Sequence, residues 1–275
     1  TDWALTHSDT VYDVVPVRDG AFFRLDDYLA RFLASTKAGR FEVGLDGAEI
    51  RAALTGMVAR SGLRDAYCAM VAARGVPLIP GGRDPRECRN HFYAWAVPYV
   101  HVIRPEVVEA GASVWIAKHV RRIPADSVDP RAKNYHWGDF TVGLFEAKDA
   151  GFETVLLPDH AGNVTEGPGF NAFAVLDGRV VTPDAGVLEG VTRRTVLEMC
   201  AELGVATEER ALPVAEFLDA DEVFLSSSGG GVLPVVKVDD RIYANGVPGP
   251  VASRLRAIYR DWTQRAEYRS EIAYG

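Results

Sequence analysis

Apolar and polar positions alternate over Thr10–Val17, which predicts a strand. Arg18-Asp19-Gly20 reads as a turn, and Ala21–Arg24 as the returning strand. At Leu25 the period changes. Leu29, Phe32 and Leu33 fall on one helical face, Asp26 and Asp27 occupy a first turn, and Gly39 follows, so a helix is predicted over Leu25–Ala38. Glu49–Arg60 reads as a second helix stopped by Gly62. Ala66–Ala73 and His91–Val97 read as strands, joined by Gly75–Asn90, a long loop with three prolines and three glycines. A further strand is predicted at Ser113–Lys118.

The stretch Val120–Pro130, with Pro124 and Pro130, reads as a connector. After it come a helix (Gly138–Ala150) and strands (Glu153–Leu157, Asn171–Leu176, Arg179–Thr182). Then follow a helix (Thr192–Leu203), two strands (Glu222–Ser227, Val232–Val238) and a last helix (Pro250–Arg265). The expected fold class is α+β or mixed α/β in two domains. Residues 1–119 form a small N-terminal α/β domain, 120–130 the connector and 131–275 a larger C-terminal domain.

Composition narrows the function classes. At 275 residues and 48% hydrophobic content the chain is globular rather than disordered. No apolar run approaches the roughly 20 residues that span a bilayer. A net charge of −8 without a basic stretch argues against nucleic acid. Three widely spaced cysteines (Cys68, Cys88, Cys200) form neither a disulfide framework nor a zinc cluster, so no metal and a reducing cytoplasm are expected. Five of the 30 cations are lysines: Lys37, Lys118, Lys133, Lys148 and Lys237. Amine chemistry therefore has five candidates.

Four stretches of the second half exceed what packing requires. Lys133-Asn134-Tyr135-His136-Trp137-Gly138-Asp139 closes the connector. Thr165-Glu166-Gly167-Pro168-Gly169-Phe170-Asn171 sets a carboxylate beside a turn that lets backbone approach a ligand. Gly186-Val187-Leu188-Glu189-Gly190-Val191-Thr192-Arg193 opens a helix whose free N–H groups suit phosphate. Ser226-Ser227-Ser228-Gly229-Gly230-Gly231 follows a strand as a second anion-friendly nest. A lysine, an acid and two such loops suit pyridoxal 5'-phosphate, which needs an amine for its aldehyde, an acid against its pyridine nitrogen and donors for its phosphate.

These motifs resemble the fold-type IV, class IV aminotransferases over nearly the whole chain. The first half matches through His7-Ser8-Asp9, Tyr12-Asp13-Val14 and Asp19-Gly20-Ala21-Phe22-Phe23-Arg24-Leu25-Asp26-Asp27. Together with Lys133-Asn134 and Trp137-Gly138-Asp139 these look most like the (R)-selective amine transaminases. Family members usually carry more residues before the His7 motif, so part of the wall of the site is expected to lie outside this chain.

The resemblance implies the following roles. Lys133 is the Schiff-base lysine and proton shuttle, and Glu166 keeps the pyridine nitrogen protonated. Arg31, Val191, Thr192 and Ser228 hold the phosphate, and Leu188 packs on the ring face. His7, Tyr12, Val14, Tyr67, Trp137, Ser227 and Gly229 line the substrate pockets. Ala69 stands where the amine-type pocket of relatives has a glutamate, and Pro80 near their mobile-loop arginine. The implied activity is ping-pong transamination between an (R)-amine or D-amino acid and a ketone or 2-oxo acid, by a cytoplasmic homodimer without nucleic-acid or membrane partners. A D-amino-acid aminotransferase, a branched-chain L-enzyme and an aminodeoxychorismate lyase are the alternatives.

Overall fold

The computed structural model describes residues 1–275. In chain order the elements of the first part are α1 (Trp3–His7), β1 (Thr10–Arg18), β2 (Ala21–Phe23), α2 (Leu25–Ala38), α3 (Gly47–Ser61), β3 (Ala66–Pro77) and β4 (Cys88–Pro98). Next come α4 (Pro105–Ala110), β5 (Ala112–Ile116), α5 (Gly138–Asp149), β6 (Thr154–Leu156), β7 (Glu166–Gly167), β8 (Phe170–Leu176) and β9 (Arg179–Thr182). The chain ends with α6 (Val191–Glu202), β10 (Thr207–Glu209), α7 (Val214–Leu218), β11 (Glu222–Ser227), β12 (Gly231–Val238), β13 (Arg241–Ile242), α8 (Pro250–Trp262) and β14 (Arg269–Glu271). The mixed α/β class expected from the pattern is the one observed. No helix is long and apolar enough to cross a membrane.

The chain divides into two compact units along different lines from the sequence expectation. The first holds Thr1–Val100, Arg131–His136 and Thr263–Gly275; the second holds His101–Pro130 and Trp137–Trp262. The strand expected near residue 113 is β5, which pairs in parallel with β12 and β6 and so belongs to the second sheet. The stretch expected as a connector folds with the second unit, because Arg122 within it is buried there between two carboxylates.

The first unit is a five-stranded sheet, order β14-β2-β1-β3-β4. Helix α2 packs on one face, its Phe32 edge-on to Phe92 of β4. Helix α3 starts two residues earlier than expected, because Asp46 and Glu49 form a capping box that closes its first turn. The loop over residues 75–90 is shorter than predicted. Both strands run on past a register shift at Gly75, whose φ of +80° places it in the left-handed region. Strand β14 was not predicted; Arg269-Ser270-Glu271 has no apolar alternation and is a strand only through pairing with β2.

The second unit is a nine-stranded sheet, order β10-β9-β8-β11-β12-β5-β6, with β13 on β12 and β7 on β8. The sheet curls back on itself. Leu157 N–H donates to Glu166 O and Thr165 N–H to Leu157 O, each at 3.1 Å, which links the end of β6 to β7. Val114, Ala172, Leu225 and Leu233 lie in its principal core cluster.

Candidate functional site

In the first unit the lysine is placed by a strand edge. Strand β2 pairs with β1 only at Val17 and Arg18, which leaves the start of β1 uncovered on that side. The segment 131–136 fills it. Val11 bridges Asn134 in antiparallel fashion, and Tyr12 N–H donates to the Lys133 carbonyl at 3.0 Å. Antiparallel partners project to one face, so Lys133 and Tyr135 follow Tyr12. The Lys133 ammonium lies 4.5 Å from the Tyr12 ring centre, and Tyr135 stacks on the same ring at 3.8 Å and 7°. Groups that close cannot share one ring face, so Tyr12 is sandwiched between them. Ser35 of α2 accepts from Lys133 N–H at 3.2 Å and donates to Arg31 O at 3.0 Å. The Lys133 backbone is thus pinned on both sides, while its amine sits on a flexible stem.

The register gathers further expected residues on that face. Its rows are Tyr12–Val71–Tyr93, Val14–Ala69–Trp95 and Pro16–Tyr67–Val97. Tyr12, Val14 and Tyr67 therefore share the face that carries Lys133. Burial, followed by the neighbouring Tyr12 and an acidic or second phenolic group, pushes the Tyr67 and Tyr135 hydroxyls up from their ordinary range. They act as neutral hydroxyls. Asp13 points to the α2 face, where it is fully buried and takes Arg31 through two contacts of 2.8 and 2.7 Å. Burial opposes the Arg31 charge, but Asp13 outweighs it and the guanidinium is held charged. His7 does not join the face. It is exposed at the end of α1, stacked on Trp3 at 4.4 Å and 2.7 Å from Thr6 Oγ1 through Nδ1.

The second unit builds an acid and an anion cradle. Glu166 is buried on β7, directly opposite Asn171 on β8. Its Oε1 accepts from Arg122 Nε and Nη2 at 3.3 and 3.2 Å. Arg122 Nη1 donates to Asp139 Oδ2 at 2.7 Å, and its guanidinium lies 4.4 Å from the Phe140 ring. Glu166 Oε2 accepts from Leu188 N–H at 2.8 Å, while Asn171 Nδ2 donates to Leu188 O at 2.9 Å. The carboxylate is therefore fixed from both oxygens. Helix α6 begins at Val191 with no side chain capping it. Thr192 Oγ1 and Ser226 Oγ are both buried without a partner. An uncapped helix start beside an orphaned hydroxyl is a ready anion site.

The remaining expected residues fall nearby within this unit. Ser228 lies in the β11–β12 turn, half-buried. Ser227 Oγ donates to Gly169 O at 2.8 Å and accepts from Gly229 N–H at 3.1 Å, so this hydroxyl ties two loops together. Gly229 O in turn accepts from Val102 N–H at 2.8 Å. Trp137 packs edge-on to Phe140, ring centres 5.6 Å apart.

The family model of amino-transferase class IV matches residues 10–238. The chain belongs to the class IV aminotransferases. It is similar to a putative branched-chain-amino-acid aminotransferase of Methanocaldococcus jannaschii, 28% identical over 263 residues, covering 94% of this chain and 89% of that one. It is also similar to a D-alanine aminotransferase of Bacillus licheniformis, 28% identical over 256 residues, covering 90% and 85%. Among solved structures, a T.th. branched-chain amino acid aminotransferase with pyridoxamine 5'-phosphate superimposes with TM-score 0.91 at 28% identity, covering 99% of this chain and 92% of that one.

This class IV aminotransferase is a pyridoxal 5'-phosphate enzyme, as its family is. Its residues fit the cofactor. The uncapped start of α6 with the unpartnered Thr192 hydroxyl offers donors to a phosphate, and Glu166 offers a fixed buried acid. Four contributors escaped the sequence reading. Arg122 and Asn171 anchor Glu166 or its neighbour Leu188, Asp139 anchors Arg122, and Ser35 anchors Lys133. Asp139 lay in a recognised motif and could have been found there. The pairing of Arg122 with residues 17 and 44 positions away had no local signal.

Proposed function

We propose that this aminotransferase moves an amino group between an (R)-amine or D-amino acid and a ketone or 2-oxo acid, by a ping-pong scheme. The observation that carries this reading is the neutrality of the face around Lys133. Its neighbours are phenolic or aliphatic: Tyr12, Tyr135, Tyr67, Val14 and Ala69. Arg31 pairs with Asp13 on the opposite, α2 face of the sheet, and Arg74 pairs with Asp9. Such a face favours an uncharged substituent on the carbon that bears the amine.

Pyridoxal phosphate, when bound, supplies an aldehyde for the amine and a ring that takes up the electrons released with the Cα proton. Lys133 Nζ would hold the aldehyde and move the proton at Cα, work typically worth about 10²–10⁴-fold. Glu166 keeps a proton on the pyridine nitrogen, oriented by Arg122 and Leu188 N–H. Arg31, Thr192, Ser228 and the Val191 N–H would hold the phosphate, and Leu188 would pack on the ring. His7, Trp137 and Gly229 stand in this reading as further pocket residues. The same reading carries a homodimer, supported by Val142 and Phe145, apolar side chains 54% and 68% exposed on α5. Sedimentation velocity should then give twice the chain mass.

A branched-chain L-amino acid is the second reading. It is favoured by relatives bearing that name and by a 28% identical T.th. enzyme seen with 4-methylvaleric acid. The deciding experiment is a donor panel of (R)-1-phenylethylamine, D-alanine and L-leucine, each with pyruvate and 2-oxoglutarate. Turnover of either of the first two supports the proposal; turnover of L-leucine alone overturns it. Lys133→Ala should abolish turnover and the visible absorbance of the bound cofactor.

A further inference from the structure

Tyr135 stands two residues after Lys133 on the segment that fills the edge of β1. Asn134, between them, bridges Val11 and closes on its own segment. Its Nδ2 donates to Ala132 O at 2.7 Å, and its Oδ1 accepts from His136 N–H at 2.9 Å. That clamp fixes the backbone on both sides of Asn134. Alternate residues of an extended chain project to one side, so Lys133 and Tyr135 do so together. The bridge sets Lys133 opposite Tyr12 and Tyr135 opposite Thr10. Tyr12 is therefore directly across from the lysine and diagonal to Tyr135, a separation that aromatic side chains span.

The result is a stack of amine, Tyr12 ring and Tyr135 ring. The Lys133 ammonium lies 4.5 Å from the Tyr12 ring centre, and Tyr135 covers the other face at 3.8 Å and 7°. So short a distance between near-parallel rings leaves little lateral offset. Two rings that close to face to face repel through their quadrupoles. A cation on the outer face of Tyr12 draws ring electron density toward itself and relieves that repulsion. The three groups thus support one another. The Lys133 backbone is pinned by Tyr12 and Ser35, but its stem is flexible. A fixed ring face is what narrows the place of Nζ.

We propose that Tyr135 is a positioning residue for Lys133: it backs the Tyr12 ring, and the backed ring is the platform on which the amine stands ready for the cofactor. This rests on the reading of Lys133 given above. A lysine that starts each cycle from one place captures the aldehyde and moves the Cα proton faster than one that searches for it.

The test compares wild type, Tyr135→Leu, Tyr135→Met and Tyr135→Phe. Pyridoxal phosphate is added to the cofactor-free proteins, and the growth of visible absorbance is followed by stopped flow. Borohydride quenching fixes the lysine-bound fraction at each time. Tyr135→Leu and Tyr135→Met should load about three- to tenfold more slowly, the scale of one lost ring pair. Tyr135→Phe keeps the ring and should stay within about twofold of wild type. In the loaded enzymes, kcat should fall by a similar factor for a small and an aryl donor alike, with KM within about twofold for each.

Unchanged loading and kcat in Tyr135→Leu and Tyr135→Met overturn the proposal. So does a KM change confined to the aryl donor, which would make Tyr135 a wall for substrate. Tyr135→Phe as slow as Tyr135→Leu also overturns it, by assigning the effect to the hydroxyl. If circular dichroism shows that neither the Leu nor the Met variant folds, the ring serves the sheet edge rather than the amine, and the proposal fails. Lys133→Ala separates the two readings. A Lys133→Ala protein that keeps visible absorbance after gel filtration overturns the role of Lys133 itself. A colourless Lys133→Ala beside an unchanged Tyr135→Leu overturns the positioning role alone.

Discussion

Arg122 reaches Glu166 with two nitrogens, at 3.3 and 3.2 Å, and is less than 10% exposed, as is its other partner Asp139. One guanidinium thus pairs with two buried carboxylates at once, which only a planar fork does well. Arg122→Ala should cost about 3–5 kcal/mol in urea unfolding of the cofactor-free protein, because it leaves both acids buried and uncompensated. Affinity for pyridoxal phosphate should fall as well, since Glu166 loses its orientation. Arg122→Lys should be intermediate. A change in stability below about 1 kcal/mol for Arg122→Ala would show that the pair is not what fixes Glu166.

Gly190 is the residue before α6, and a Cβ placed there would run into Asn171 Oδ1. Asn171 in turn holds the Leu188 carbonyl, and Leu188 N–H holds Glu166. Gly190→Ala should therefore push Asn171 off Leu188 and loosen the acid and the helix start together. The expected outcome is a loss in cofactor affinity of about tenfold or more, roughly the 1.4 kcal/mol scale of one lost buried hydrogen bond. Equilibrium dialysis with pyridoxal phosphate measures it. Asn171→Ala should reproduce the loss, and unchanged affinity in both variants would remove this link.

What the chain disclosed in advance, and what it did not, has a physical cause. Lys133, Glu166 and Thr192 sit in short runs whose glycines, prolines and hydroxyls are themselves part of the chemistry, so the local string carries the signal. Tyr12, Val14 and Tyr67 came from the family resemblance; alternation alone sets Tyr12 and Val14 on one face, and Tyr67 joins them only through the β1–β3 register. Arg122 and Ser35 owe their positions to tertiary pairing. Ser35 is 98 residues from the Lys133 N–H it accepts, and no spacing rule reaches that far. The unit boundary was misplaced for the same reason. β5 alternates like any strand, and its neighbours β12 and β6 are fixed only when the second sheet assembles. His7 shows the reach of a motif alone: the resemblance implies a pocket role, while within its own unit the short helix α1 leaves the side chain exposed.

Glu222 is buried on β11 and accepts the N–H groups of Val251 at 3.1 Å and Ala252 at 3.2 Å. These are donors of the first turn of α8, so a residue distant in sequence does the capping. Gly249 is packed so tightly that a Cβ would enter the Glu222 carboxylate. Glu222→Ala should destabilise by about 1–3 kcal/mol, the cost of orphaned buried donors. Glu222→Gln should cost less, because an acceptor remains. Gly249→Ala should destabilise by a similar route. Thermal unfolding followed by circular dichroism orders the three, and Glu222→Gln as damaging as Glu222→Ala would assign the effect to charge alone.

The three thiols should separate by reactivity and by pH. Cys68 on β3 and Cys200 on α6 are fully buried. Burial pushes Cys68 up to about 12 and Cys200 up to about 11, from an ordinary value of 9.0. Cys88 is only half-buried, and its smaller upward shift has the same first cause. The thiolate is the reactive form. Native protein at pH 8 should therefore release one equivalent of Ellman's chromophore quickly and three in denaturant. The folded values lie above the unfolded one, so the fold favours the protonated thiols. Their contribution to stability is complete below the unfolded value and is lost as pH rises through 11 and 12, with the decline beginning near pH 9. The urea midpoint should fall over that window, and the fall should be shallower in Cys68→Ala and Cys200→Ala. The raised Tyr67 and Tyr135 hydroxyls act in the same direction at higher pH, so the double cysteine variant should retain a residual slope. Three fast thiols at pH 8, or a midpoint that stays level from pH 8 to 11, would contradict the burial of these side chains.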